Sequence, residues 1–273
     1  MCPKISVITI NRNDAEGLRK TIKSVVSQTF SDFEYIVIDG ASTDGSVDVI
    51  KKDADRITYW VSEPDSGIYN AMNKGIGKAK GAYCLFLNSG DYLYQDTVLE
   101  NVVNSSPTED IVFGNILIDY GNHKEPVIYN DKITLKLLFQ DSLPHPSAFI
   151  KKRLFDEFGF YDESFQLAGD YEFFLRALVL RKCSYKHVDT SISVFNTLGI
   201  SRNRDFLDIN LKERRRAQEL YFSLEIIELF YDLNNQIIKL ERDYREVNYD
   251  YNVLLKSKPV RFAKWLRTVF PRK

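Results

Sequence analysis

The sequence predicts an α/β fold with a mostly parallel central sheet flanked by helices, and three observations predict it. Short apolar runs rich in β-branched residues alternate with segments of helical period, the pattern of successive βαβ units. Four of those runs end in small clusters of carboxylates, amides and hydroxyls. The 273 residues, with ordinary apolar and charged fractions, suffice for one large core plus an appendage.

The elements follow in order. Ile5 to Ile10 reads as the first strand, and Leu18, Ile22, Val25 and Val26 mark one face of a helix from Ala15 to Ser27. Tyr35 to Ile38 is a second strand, before a helix that Thr43 or Asp44 can cap. Ile57 to Val61 leads into a helix from Ile68 to about Ala79, and Tyr83 to Leu87 into one around Thr97 to Val103. Ile111 to Ile118 follows. From Ile128 to Asn196 the pattern is mixed: helices at Ile133 to Phe139, Lys151 to Phe158 and Asp170 to Leu180, with short strands near Ser147 to Ile150 and Ser184 to Val188. This is read as the second half of the same domain, residues 1–204.

Residues 205–273 are expected to form a helical extension. Ile226, Phe230, Leu233, Ile237, Leu240, Tyr244, Val247, Tyr251 and Leu254 recur at alternating spacings of four and three, a heptad seam. Such a seam suits either packing on the catalytic domain or a homo-oligomer. After Pro259, Phe262, Leu266, Val269 and Phe270 share one side with Arg261, Lys264, Arg267, Arg272 and Lys273 around them, a basic amphipathic tail suited to peripheral contact with an anionic membrane.

Composition narrows the function. A formal charge of −1 argues against broad nucleic-acid binding. Cys2, Cys84 and Cys183 fit neither a disulfide framework nor a zinc site, no leader precedes the first strand, and no apolar run approaches the ~18 residues of a membrane span. The expectation is a cytoplasmic protein, at the inner face of the membrane if the tail docks there.

The strand-end clusters are Asn11-Arg12-Asn13-Asp14, Asp39-Gly40-Ala41-Ser42-Thr43-Asp44, Glu63-Pro64-Asp65-Ser66-Gly67 and Asn88-Ser89-Gly90-Asp91. In an open α/β sheet the carboxyl ends of the strands share one edge, where ligands bind, so the four should converge. A dinucleotide fingerprint is excluded by placement: Gly75, Gly77 and Gly81 follow a helix and not a strand. No Walker-type loop is present either. Carboxylates gathered without phosphate-cradling glycines call for a cation or a donor between them, and a divalent metal carrying a nucleotide diphosphate meets that need.

The strings ISVITINRN, IDGASTDGS, EPDSGIYNAMNKGIGKAKGAYCLFLNSGD and GDYEFFLRA, in this order, resemble the family-2 inverting glycosyltransferases with the GT-A fold, most of all those of bacterial surface-polysaccharide assembly. The resemblance covers about residues 4 to 200. It implies a GT-A-like sheet with a Rossmann-like nucleotide half and a mixed acceptor half. It also implies a nucleotide diphosphate-sugar donor, with uridine the usual base, and Mg²⁺ or Mn²⁺ as cofactor.

Position by position, Thr9, Asn11 and Asn13 match the first-strand loop near the nucleotide, and Asp39 the carboxylate that accepts from the base. Gly40 replaces the family's second acid. Asp65 matches the aspartate near base or ribose, and Lys74 stands where a cation meets phosphate. Asn88 to Asp91 occupies the place of the Asp-x-Asp metal motif, with Asp91 as its one remaining metal-ligating carboxylate. Asp170 stands at the catalytic-base position, with Gly169 replacing an acidic neighbour. His145 lies in the acceptor-side loop, and Arg202 would face the leaving diphosphate from a segment that closes over the donor.

The function expected is transfer of a sugar from a uridine diphosphate-sugar to a hydroxyl of a bacterial cell-surface glycan or lipid-linked acceptor. A catalytically silent nucleotide-sugar-binding or assembly protein is the alternative. A sugar-1-phosphate nucleotidyltransferase is disfavoured, since Asn11-Arg12-Asn13-Asp14 replaces the Gly-rich basic loop such enzymes need.

Overall fold

A computed structural model describes residues 3–197, 206–257, 259 and 260. The described chain divides into two compact units, one ending at Tyr221 and one beginning at Phe222.

In the first unit the sheet runs β3-β2-β1-β4-β8-β6-β9-β5, with β7 paired to β6. The nucleotide half is β1 (Ile5–Asn11), β2 (Phe33–Asp39), β3 (Tyr59–Ser62) and β4 (Tyr83–Phe86), all parallel. β1 is buried along its whole length because helices cover both faces of a parallel sheet. Register puts Asn11 beside Asp39 and Asp39 beside Ser62, so three polar residues meet at one edge.

The mixed half contains β5 (Tyr92–Leu93), β6 (Ile111–Asp119), β7 (Lys124–Val127), β8 (Ala148–Lys151) and β9 (Tyr185–Asn196). β8 is antiparallel to β4 and β6, while β6 and β9 are parallel with a register shift at Gly114 and Asn115. This agrees with the two halves the sequence implies. β5 and β7 are additions, and β9 continues well beyond the short strand expected near Val188.

Helices follow the sequence periodicity closely. α1 (Ala15–Val26) buries Leu18, Ile22 and Val25, and the Asp14 side chain caps it by accepting from Gly17 N. α2 (Ser46–Lys52) and α3 (Ile68–Lys78) follow β2 and β3; α4 (Val98–Asn104), α5 (Leu135–Gln140) and α6 (Lys152–Phe158) lie near the expected spans. α7 (Gly169–Leu175) continues into a π-helical turn at Arg176–Leu180. α8 (Leu207–Tyr221) belongs to the first compact unit, which runs past residue 204, where the sequence suggests a boundary. The core places Val7, Tyr35, Val37, Leu85, Val112 and Phe149 with apolar residues of α1 and α4.

The second unit holds α9 (Leu224–Lys256), 33 residues long, capped by Ser223, whose side chain accepts from Ile226 N. Ile226, Leu233, Ile237, Leu240, Tyr244, Val247, Tyr251 and Leu254 of the heptad seam are exposed. The basic segment from Arg261 lies outside the described residues. No helix among the described residues is long and apolar enough to cross a membrane.

Candidate functional site

Asp39 is the most heavily bonded carboxylate at the sheet edge. It has no exposed surface. Its Oδ1 accepts from Asn11 Nδ2 at 2.7 Å and Ser42 Oγ at 2.6 Å, and its Oδ2 from Ser42 N at 2.9 Å and Ser62 Oγ at 2.6 Å. Four donors occupy the roughly four lone-pair sites of a carboxylate. Asp39 therefore knits the ends of β1, β2 and β3 together, and a base contact requires exchanging one of these donors. The buried acceptor left without a partner here is Asn11 Oδ1.

Asn13 and Asp65 complete this corner. Asn13, in the left-handed region at φ 53°, donates its N–H to Ser42 Oγ, and its Oδ1 accepts from Thr43 N at 2.8 Å. Asp65 stands over Gly40: a Cβ at Gly40 would lie 2.3 Å from Asp65 Oδ2. Gly40 thus replaces the family's second acid because a neighbouring loop brings a carboxylate into that space. Arg12 approaches Asp65 Oδ1 at 3.9 Å.

One expected nucleotide ligand is corrected, and a second is already engaged within the chain. Thr9 is fully buried, with its hydroxyl 3.0 Å from Tyr35 Oη, so it belongs to the core beneath the crevice. Lys74 Nζ is held by Glu63 Oε1 and the Pro64 carbonyl, each at 2.8 Å, so it braces the loop between β3 and α3. Arg202 lies outside the described residues.

The Asn88–Asp91 turn is fastened to β1 and α1. Ser89 N donates to the Ile10 carbonyl, Asp91 N to the Asn88 carbonyl, and Thr21 Oγ1 to the Asp91 carbonyl at 2.6 Å. The Asp91 side chain is buried and accepts one hydrogen bond, from Asn196 N at 2.9 Å. Burial pushes its pKa up to about 7, an effect the Asn196 N–H opposes and the Asp14 charge reinforces. Among the described residues no group of three or more histidine, cysteine or acidic side chains gathers to hold a metal. The Asn88–Asp91 turn supplies one buried carboxylate, Asp91, toward the expected Mg²⁺ or Mn²⁺ site, fewer ligands than a resident cation takes from the chain alone.

Asp170 lies at the start of α7, and Tyr69 at the start of α3 donates its hydroxyl to Asp170 Oδ1 at 2.8 Å. Gly169 explains how they approach, since a Cβ there would fall 2.8 Å from the Tyr69 ring. The acidic neighbour of the family motif is absent because Tyr69 fills its place. Behind this pair, Tyr161 packs 5.6 Å from Tyr69, and its hydroxyl lies 2.9 Å from His145 Nε2. His145 is buried and stacked on Phe86, and burial lowers its pKa against the raising effect of Asp170. The expectation that His145 meets phosphate or acceptor is corrected to a place in the network behind Asp170.

These contacts join the four strand-end clusters and Asp170. Asp65 covers Gly40 beside Asp39, the Asp65 loop leads into Tyr69 and Asp170, and Ser89 binds the end of β1. A cavity of about 290 Å³ lined by Lys4, Ile5, Tyr83, Val102 and Phe149 opens at the opposite edge, where β1 and β4 begin, and takes no part. Tyr69, Tyr161 and Ser62 are the residues the sequence did not single out; the glycines at 40 and 169 were the available signal.

The pattern of Glycosyl transferase family 2 matches residues 6–158. The chain belongs to that family. It is 34% identical over 210 residues to an uncharacterised glycosyltransferase of Mycobacterium tuberculosis, covering 74% of this chain and 79% of that protein. It is 29% identical over 208 residues to a PGL/p-HBAD biosynthesis glycosyltransferase of Mycobacterium bovis, covering 72% and 78%.

Two solved structures share the fold. Staphylococcus aureus TarS 1–349 in complex with UDP superposes with a TM-score of 0.60 at 19% identity, over 71% of this chain and 60% of that one. The mannosyltransferase PcManGT of Pyrobaculum calidifontis, in complex with GDP-Man and Mn²⁺, gives 0.57 at 14% identity over 98% and 85%. The GT-A fold of this glycosyltransferase chain is thus shared with proteins that bind nucleotide sugars.

Proposed function

We propose that the chain is an inverting glycosyltransferase that moves one sugar from a uridine diphosphate-sugar to a hydroxyl of a bacterial surface glycan or lipid-linked acceptor. The observation that carries this reading is Asp170, tied through Oδ1 to Tyr69 with its second oxygen free to take a proton. In the proposed step that oxygen accepts the proton of the acceptor hydroxyl. The hydroxyl oxygen then attacks the anomeric carbon, and the bond to the diphosphate breaks on the opposite face. A single base suffices for inversion, whereas a retaining hydrolase sets two carboxylates about 5 Å apart.

The nucleoside is assigned to the corner of Asn11, Asp39 and Asp65, where Asn11 Oδ1 is buried without a partner and would accept from a base N–H such as that of uracil once the corner opens. The PGL/p-HBAD relative and TarS with UDP support a uridine donor and a surface-glycan role. The exposed seam of α9 supports self-association, and the basic residues beyond Arg261 support contact with the inner face of the membrane.

A second reading, a silent nucleotide-sugar-binding protein, is favoured by one observation: no metal-holding group forms among the described residues. Thermal shift with uridine, guanosine and thymidine diphosphates, with and without Mn²⁺, followed by UDP release from UDP-glucose, UDP-galactose and UDP-N-acetylglucosamine, separates the readings. Uridine diphosphate at ~100 times its Kd should stabilise by about 2.7 kcal/mol. Binding without turnover of any donor favours the silent reading, and no response to any nucleotide removes both.

A further inference from the structure

We propose that Glu213, on α8, is a positioning residue for Asp170; the inference rests on the reading of Asp170 as the base. Nothing in the family-matched segment, residues 6–158, contains this helix. Glu213 Oε1 accepts from Gln166 N at 2.6 Å, and its Oε2 accepts from Leu167 N at 2.8 Å and Ala168 N at 3.0 Å. Three consecutive amides immediately before α7 thus converge on one carboxylate. The next two residues are Gly169, which admits the Tyr69 ring, and Asp170.

The same helix grips the chain on the far side of Asp170. The Arg214 guanidinium lies 3.9 Å from the Tyr171 ring centre, and Gln218 Nε2 donates to Tyr171 Oη at 3.0 Å. Tyr221 Oη donates to Glu172. Asp170 is therefore bracketed: residues 166–168 are fixed by Glu213, residues 171 and 172 by the rest of α8, and its own Oδ1 by Tyr69.

Charge-assisted bonds to a carboxylate are shorter and about twice as strong as neutral ones, so Glu213 sets the height and rotation of the turn that carries the base. A displacement of about 1 Å at a reacting group costs roughly a hundredfold in rate. Gln166 is exposed, so water can satisfy its amide when Glu213 is removed. Leu167 and Ala168 are buried, so their amides lose a partner that water does not replace, and Glu213→Gln, which keeps an acceptor oxygen, separates the geometry of Asp170 from the fold. Glutamine at position 213 keeps the shape but accepts through one oxygen only, leaving at least one of the three amides facing an NH₂ group.

The test uses the full chain with Glu213→Ala, Glu213→Gln and Asp170→Asn. UDP-binding sites and Kd come from calorimetry, and turnover from UDP release with the UDP-hexose that wild type uses fastest. Turnover per UDP-binding site should fall about 10- to 100-fold in Glu213→Ala and by less in Glu213→Gln, with UDP Kd and donor KM within about twofold of wild type. A fall in the number of binding sites with unchanged turnover per site would assign Glu213 to folding alone and overturn the inference. If Glu213→Ala does not fold, Glu213→Gln decides by the same criterion. Should Asp170→Asn retain wild-type turnover, the base reading fails first; should Asp170→Asn alone be impaired, only the role of Glu213 falls.

Discussion

Asp39 ends β2 and Asp91 closes the turn that follows β4, with β1 between the two strands; both are buried, and they are held in opposite ways. Asp39 receives four donors from three residues, Asn11, Ser42 and Ser62, whereas Asp91 receives one, from Asn196 N. At Asp91 the desolvation that raises its pKa is opposed by that single N–H. The chain itself saturates the carboxylate at the Asp39 corner and leaves the Asp91 carboxylate with a single donor.

The largest effect expected from breaking this contrast is at Asp39. Asp39→Ala strands donors from Asn11, Ser42 and Ser62 in a buried corner, and bonds to a charged partner contribute about 1.5–3 kcal/mol each. A loss of about 3–5 kcal/mol in urea denaturation at pH 7 is expected, and a change below 1 kcal/mol would mean that the corner is not held by this carboxylate.

Asp91 should instead show itself through pH. Its folded pKa, about 7, lies above the ordinary 3.8, so the folded state keeps a proton that the unfolded state has lost. Stability therefore falls as pH rises from about 4 to 7 and stays low above, by about 2–4 kcal/mol in all. In Asp91→Asn that part of the slope should vanish, and parallel pH–stability curves for variant and wild type would refute it. A cation or other positive group bound at Asp91 should stabilise wild type more at pH 8 than at pH 5.

Gly40→Ala perturbs the Asp39 corner from the Asp65 side. The new methyl must displace the Asp65 carboxylate that lies 2.3 Å from its position, at a cost of about 1–3 kcal/mol. In an Asp65→Ala background the cost should shrink below 1 kcal/mol, as a double-mutant cycle would register. The smallest effect is expected at Tyr69→Phe, which removes one hydrogen bond to Asp170 worth about 1.5 kcal/mol and should lower kcat about tenfold without changing UDP affinity.

What the sequence made legible depends on how local the signal was. The parallel half was plain, since β1 and β2 are apolar runs buried on both faces and α1 keeps its apolar stripe. β5 is two residues long, β7 reads Lys-Glu-Pro-Val at an edge, and β9 carries Asp189, Thr190 and Ser191 across a register shift, so none shows a strand's pattern. At the site, motif order pointed to Asp39, Asp65, Asp91 and Asp170. Partners were hidden because they come from far along the chain: Ser62 for Asp39, Tyr69 for Asp170, and Asn196 for Asp91. Thr9 and Lys74 stood at suggestive positions, but burial and loop bracing use them. The helical extension was legible as a heptad seam, yet α8 packs with the catalytic body through Arg214, Gln218 and Glu213, side chains that leave no apolar periodicity to read.

The proposed function requires Asp170 to act as base at a crevice that binds the nucleotide independently of it. UDP affinity and UDP release, measured on one preparation of Asp170→Asn, test this directly. The prediction is a Kd within about twofold of wild type with turnover lower by about 10²- to 10⁴-fold. Turnover retained at the wild-type level with intact binding would contradict it.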